Sequence, residues 1–284
     1  MRIALSFCLK NIKNRDPKSQ VKYPNSFKNK KSAKNNDNDD DENVASLDDA
    51  CIEMREEYYN MEMDIGKLKD LLVKTREQRQ RDVKTLSAQE LLIKYTPLND
   101  KELFIWEFEQ LVQMRLKDMR QNLIDSTGKI NAILKEKIEE TADINKKVIH
   151  VLKQLPNLIN SNTKKGQKRE SILEMELQDN APPMNRAPML IAADVDGNQL
   201  KCYVDSEPLH CSDPLEAVLL LIGSYYVFNI SYEKQFHLQY ILLEYMIFGS
   251  NATRIAPGNS KYLSILNIMD RAKICLGYYQ MPSI

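Results

Sequence analysis

Residues 213–230 read DPLEAVLLLIGSYYVFNI, and this run decides the fold. Asp213, Pro214 and Glu216 occupy the N-cap, first-turn and capping-box positions, so a helix is expected to start at Pro214. From Leu215 to Phe228 that helix is apolar on nearly every side, which requires it to be enclosed. It is shorter than the roughly 20 apolar residues a membrane crossing needs, and it carries Glu216, so it reads as a buried core helix. Immediately upstream, Met189–Val195 and Asn198–Val204 flank Asp196-Gly197, the strongest short signal for a two-residue hairpin. Pairing Val195 with Asn198 then sets Ile191 opposite Cys202 and Met189 opposite Val204. One face becomes apolar, while Asp194, Gln199, Lys201 and Tyr203 take the other. Such a ribbon is unstable alone and is expected to lie on the Pro214–Phe228 helix. Further helices are expected over Glu233–Phe248, stopped by Gly249, and over Ser260–Leu276, stopped by Gly277.

Working outward, residues 187–280 form a small α+β unit, a β-hairpin packed on about three helices. Residues 159–186, with Asn160-Ser161-Asn162 and Pro182-Pro183, read as a linker holding at most a short helix around Ile172–Leu177. The region 45–158 is helical. Within it Leu47, Cys51, Met54, Tyr58, Met61, Ile65, Leu68, Leu72 and Thr75 alternate in steps of four and three, the seam of a coiled coil over 47–75. That seam either pairs with a second copy or folds back on later helices. Arg76–Lys84 continues the helix with Arg76, Arg79, Arg81 and Lys84 expected on its surface, until Pro97 breaks it. A cap at Asn99 or Asp100 opens a helix whose stripe is Ile105, Phe108, Val112, Leu116, Met119 and Leu123, with Trp106 beside it. Gly128 interrupts, and a last helix runs from Ile130 to Leu155, ended by Pro156. Residues 1–44 are a basic and then acidic tail with too few apolar side chains to offset ordering entropy, and are expected to be disordered.

Forty basic residues balance forty acidic ones, so no global field draws the chain to nucleic acid or anionic lipid. Local clusters remain, at Lys28, Lys30, Lys31 and Lys34 and at Arg76–Lys84. The five cysteines are scattered and odd in number, which fits reduced thiols in the cytoplasm or nucleus. No phosphate-cradling glycine loop, paired Cys-x-x-Cys, His-Glu-x-x-His or nucleophile elbow is present. Asp194, Asp196 and Asn198 imitate the start of a calcium loop, but Gly197 comes too early and Asp205 replaces the bidentate glutamate. Cys202, His210 and Cys211 lack an evident fourth zinc ligand.

The block Met189–Phe248, above all Pro214-Leu215-Glu216-Ala217 and Tyr225-Tyr226-Val227-Phe228-Asn229-Ile230-Ser231-Tyr232, resembles the C-terminal region of the sterile-alpha-motif-domain-containing protein 3-like proteins and their transposon-associated relatives. Arg79-Gln80-Arg81-Asp82-Val83, Lys94-Tyr95-Thr96-Pro97-Leu98 and Trp106-Glu107-Phe108 extend the resemblance over roughly residues 70–275. At the front, where relatives carry a sterile alpha motif, this chain has its low-complexity tail. The resemblance implies no enzymatic activity and no catalytic residues.

The expectation is therefore a mainly α chain, with an extended helical, coiled-coil region and a small α+β unit. It is a non-enzymatic protein-interaction protein with no cofactor, metal or membrane partner. Its contact residues would be Met54, Tyr58, Met61, Ile65, Leu68, Leu72 and Trp106, with 47–75 either forming a homo-oligomer or folding back on later helices. The alternative is a nucleic-acid-associated protein derived from a transposable element.

Overall fold

The computed structural model describes residues 40–86, 88–136, 138–159, 171–175, 188–192, 200–204, 207–249 and 263–273. They are mainly α-helical, and the chain forms two compact units, Met1–Glu107 and Phe108–Ile284. The expected cut at 159–186 does not coincide with this division. The reason lies in the helix over Ile144–Ile159, whose buried Val148, Val151, Leu152 and Leu155 pack with later helices of the second unit.

The first unit contains α1 (Asp40–Tyr59), α2 (Ile65–Lys74), α3 (Arg76–Asp82), α4 (Ala88–Lys94), a 3-10 turn over Thr96–Asn99 and the start of α5 (Lys101–Val112). Asp40–Val44, expected in the disordered tail, are the start of α1. The rest of that tail lies outside the described residues. The coiled-coil seam is not one helix. It stops at Tyr59 because Asp64 caps a new helix, accepting from the Lys67 amide at 3.0 Å, while Glu57 accepts from the Asp64 amide at 2.9 Å. Lys67 then ties the turn together by pairing with Glu53 and Glu57 at 3.0 and 3.1 Å. α2 folds back on α1, and Ala50, Cys51, Met54, Leu68, Leu71 and Leu72 are buried in this unit.

The second unit holds α6 (Leu116–Ile133), α7 (Ile144–Ile159), β1 (Leu173–Met175), β2 (Met189–Ala192), β3 (Leu200–Val204), β4 (Glu207–Leu209), α8 (Pro214–Val227), α9 (His237–Phe248) and α10 (Leu263–Arg271). α8 begins at Pro214 as expected, with the Asp213 carboxylate accepting from the Glu216 amide at 2.9 Å. Glu216 reaches back one residue further than a capping box requires, to the Ser212 amide. α8 and α9 are buried almost all round and pack on each other, on α6 and on α7, and α8 covers β3 and β2. No helix among the described residues is long and apolar enough to cross a membrane. α9 starts later than expected but ends at Gly249, whose φ of 57° is costly for a residue with a Cβ. The expected stop of α10 at Gly277 lies outside the described residues.

Three expected helix boundaries are displaced. The Asn99-to-Leu123 stripe is split by Gln113, at φ 55°, into α5 and α6, and Glu109 accepts from the Leu116 amide across the break. Gly128 does not interrupt: it sits exposed inside α6, where packing of Leu123 and Ile130 outweighs its roughly 1 kcal/mol propensity cost. The break falls instead after Ile133, where the Asn131 side chain clamps both backbone groups of Ile138, at 3.2 and 3.3 Å. Pro156 likewise lies inside α7, in its last turns, where it removes one amide donor and is itself buried beside Leu155 and Ile159.

The sheet has the order β1-β2-β3-β4, with β1 parallel to β2 and the other pairs antiparallel. β1 lies within the expected linker, in place of the short helix at Ile172–Leu177, and β4 had no counterpart. The expected register is wrong by one residue. Leu190, not Ile191, faces Cys202, and Ile191 faces Lys201. Ala192 opposite Leu200 leaves seven residues, 193–199, between the strands, and a two-residue turn needs an even number. The Asp196-Gly197 turn itself lies outside the described residues. The slip puts Leu190, Leu200, Cys202 and Val204, all buried, on one face.

This register predicts that Leu190→Asp, which places an unpaired carboxylate in that face, costs about 3 kcal/mol or more. Lys201→Asp, on the opposite face, changes stability by less than about 1 kcal/mol. Urea denaturation of the two variants reads the difference, and a mild Leu190→Asp would restore the register expected from the turn.

Candidate interaction surface

The basic run at Arg76–Lys84 is where the structure departs most from a solvated surface. Arg79 is 5% exposed and its guanidinium meets the Glu107 carboxylate, itself 3% exposed, at 2.6 Å. The same guanidinium donates to the Leu72 carbonyl and to the Thr75 hydroxyl, so it ties α3 to α2 and to α5. Arg76 approaches the other Glu107 oxygen at 3.6 Å. Of its four basic side chains, only Arg81 and Lys84 are exposed.

Next to it, Asp82 accepts from the Tyr95 hydroxyl at 2.7 Å, from Lys94 at 2.8 Å and from Gln78 at 2.7 Å. Burial by itself would raise the Asp82 pKa, but the Lys94 ammonium, the Tyr95 hydroxyl and the Gln78 amide outweigh it and hold the carboxyl below the ordinary aspartate value. Burial, and then the Asp82 carboxylate, push the Tyr95 hydroxyl far above the usual tyrosine range. A carboxylate held ionised beside a phenol held protonated has no proton to exchange near neutral pH, so this cluster fastens α3 to α4 and is not poised for acid–base chemistry.

In the second unit, Glu244 is 1% exposed on α9 and accepts from the Tyr226 and Tyr232 hydroxyls. Tyr225, Tyr232 and Tyr240 pack ring to ring with centroids 4.6–4.8 Å apart. The Tyr225 hydroxyl bonds both Tyr240 and the Pro188 carbonyl at 2.9 Å, which anchors the entry of β2 to α8 and α9. Arg120 on α6 grips the Asp213 cap with two hydrogen bonds, at 3.1 and 2.6 Å. Burial raises the Cys202 thiol, and raises Cys211 as well, which makes both poor nucleophiles. Cys211 donates to the Leu200 carbonyl at 2.9 Å. No group of three or more His, Cys, Asp or Glu among the described residues could hold a metal ion.

Of the residues expected to form an interaction seam, Met54, Leu68 and Leu72 are buried between α1 and α2. Tyr58, Ile65 and Trp106 are half-buried, and Tyr58 sits edge-on to Tyr59 at 5.3 Å. Met61 alone is open, 96% exposed in the α1–α2 turn. The fold-back therefore uses the heptad side of α1 within its own unit.

The other side of α1 is the one left outward. Asp49, Ile52, Glu56 and Tyr59 follow in steps of three, four and three, one stripe of the helix, and all are exposed, Ile52 at 55% and Tyr59 at 67%. Arg55, one position from the stripe, donates to the Ile93 carbonyl at 3.4 Å and so brings α4, with exposed Ile93, to the edge of α1. Glu53 and Glu57 are engaged by Lys67, whereas Asp49 and Glu56 have no ion-pair partner among the described residues. This stripe was missed from sequence because the heptad seam is the stronger apolar signal. Its two apolar members only stand out once the seam is known to be covered. Comparison with protein-family models, with curated proteins and with solved structures returns no match to this chain.

Two measurements check the interior of the first unit. Arg79→Leu leaves the Glu107 carboxylate buried without its closest cation and should cost about 3–5 kcal/mol, while Arg81→Leu should stay within about 0.5 kcal/mol. Equal costs in a urea titration would return Arg79 to the surface. Asp82 has a depressed pKa in the folded state, so its stabilising contribution is complete above the ordinary aspartate range and is lost as pH falls through and below it. Asp82→Asn should be less stable than the parent at neutral pH and lose less stability on acidification below about pH 4. Parallel stability–pH curves would contradict that assignment.

Proposed function

We propose that this chain is a non-enzymatic protein-interaction protein that docks a basic, partly apolar protein segment on the outward stripe of α1. The observation that carries the reading is the combination of exposed Ile52 and Tyr59 with carboxylates at Asp49 and Glu56 that nothing in the described chain neutralises. Among the described residues, most exposed large apolar side chains belong to the same unit: Ile52, Tyr59, Met61, Val73 and Ile93. Apolar anchors give affinity, and the flanking negative charge selects a cationic partner and steers its approach. The polar groups of the interior support the same reading, because Arg79, Asp82, Tyr95 and Glu244 are taken up in holding helices together. Homotypic pairing through 47–75 is not part of this proposal, since Met54, Leu68 and Leu72 are already covered. Scattered thiols favour the cytoplasm or nucleus as its site of action.

Nucleic-acid association is the competing reading. It draws on the lysine tail and on the resemblance to transposon-associated proteins, but the burial of Arg79 and the engagement of Arg76 leave only Arg81 and Lys84 exposed from the second cluster.

A fluorescently labelled amphipathic peptide of lysine and phenylalanine, titrated against the full chain, separates the two. Binding should fall about tenfold or more on Ile52→Ser with Tyr59→Ser, and likewise on Asp49→Lys with Glu56→Lys, with melting temperatures unchanged because all four sites are exposed. Undiminished binding by both double variants overturns the docking stripe. Salt-sensitive binding of duplex DNA, with no peptide binding, decides for nucleic acid.

A further inference from the structure

α1 contains eight carboxylates and one arginine, and the chain that leads into it is of opposite sign: Lys22 to Lys34 holds five lysines, no Asp or Glu, and the aromatic residues Tyr23 and Phe27. We infer that the segment Lys22–Lys34 is the first occupant of the outward stripe of α1, docking in cis along Asp49, Ile52, Glu56 and Tyr59. This inference rests on the reading of that stripe as a docking face.

Reach supports it. Residues 35–39 are Asn-Asn-Asp-Asn-Asp, a composition that favours chain reversal, and they separate Lys34 from the start of α1 at Asp40. After a reversal there, extended chain advances about 3.3 Å per residue against about 1.5 Å per residue of helix, so each tail residue passes about two residues of α1. Counted back from Lys34, this sets Lys30 at about the level of Asp49, and Lys28 and Phe27 within the span from Ile52 to Glu56. One cation then lies beside Asp49, and a lysine–phenylalanine pair spans Ile52 and Glu56, without stretching the connection. Tyr23 and Lys22 continue past the end of α1 at Tyr59. A connection this short holds the segment at an effective concentration on the order of millimolar, above what a second copy supplies in dilute solution. A partner of similar chemistry would have to displace the tail before it could dock.

Limited trypsin digestion of the full chain, followed by mass spectrometry at Lys28, Lys30, Lys31 and Lys34, tests this. Cleavage at these lysines should be about tenfold slower than in a synthetic peptide of residues 22–39, since protease captures only the undocked population. Protection should vanish in high salt and in Asp49→Lys/Glu56→Lys. Cleavage as fast as in the free peptide, or protection that survives in that variant, overturns the inference. Protection that grows with protein concentration overturns the cis form in favour of a second copy. The lysine–phenylalanine peptide distinguishes this failure from failure of the docking stripe itself. A full chain carrying Lys28→Glu, Lys30→Glu and Lys31→Glu should bind that peptide several-fold more tightly than the parent. Equal affinity leaves the stripe standing and removes the tail from it, and no binding to either chain removes both.

Discussion

A guanidinium can leave water only if its donors are met, and meeting those of Arg79 organises the first unit. Its partners are a carbonyl on α2, a hydroxyl just after α2 and a carboxylate on α5. Three helices thus share one buried charge pair, beside which the Asp82–Lys94–Tyr95 group joins α3 to α4 and the following turn. Breaking one partner of such a pair costs far more than the pair contributes in net stability, so its value is geometric: it admits one arrangement of these helices. The heptad side of α1 is spent on α2 and the polar interior on helix joints, and the far side of α1 is left outward.

The second unit solves a related problem with neutral donors. α8 and α9 are nearly all apolar, and the one carboxylate in the middle of α9, Glu244, is met by two tyrosine hydroxyls. Tyrosine serves because its ring packs as core while its hydroxyl reaches the acceptor. Tyr225 and Tyr240 repeat the device on the Pro188 carbonyl. Arg120 on Asp213 secures the first turn of α8 from α6.

Legibility in the sequence follows the range of the physics. The start of α8 at Asp213-Pro214 and the stop of α9 at Gly249 depend on neighbours within a few residues, and both could be read. The burial of α8 followed from its composition alone. The sheet register could not be read, because Leu190 and Ile191 are both apolar and a one-residue slip exchanges them. Only the number of residues between the strands and the packing under α8 decide between them. Arg79 and Arg81 are equivalent by type and by helix, and what separates them is Glu107, 28 residues away along the chain. The break in the coiled-coil pattern was visible in principle in Asn60 and Asp64, but a sustained four–three spacing outweighed two polar residues. β1 hid in alternation at Leu173, Glu174 and Met175, which three residues are too few to establish.

In the proposed arrangement the lysine-rich segment Lys22–Lys34 docks on the outward stripe of α1. The most direct test is a backbone amide NMR comparison of the full chain with a variant carrying Lys28→Glu, Lys30→Glu and Lys31→Glu, at low salt. Shift changes concentrated in residues 49–59, and reproduced in the parent by raising salt, are the predicted result. Unchanged amides over 49–59, or changes confined to residues 108–284, would contradict it.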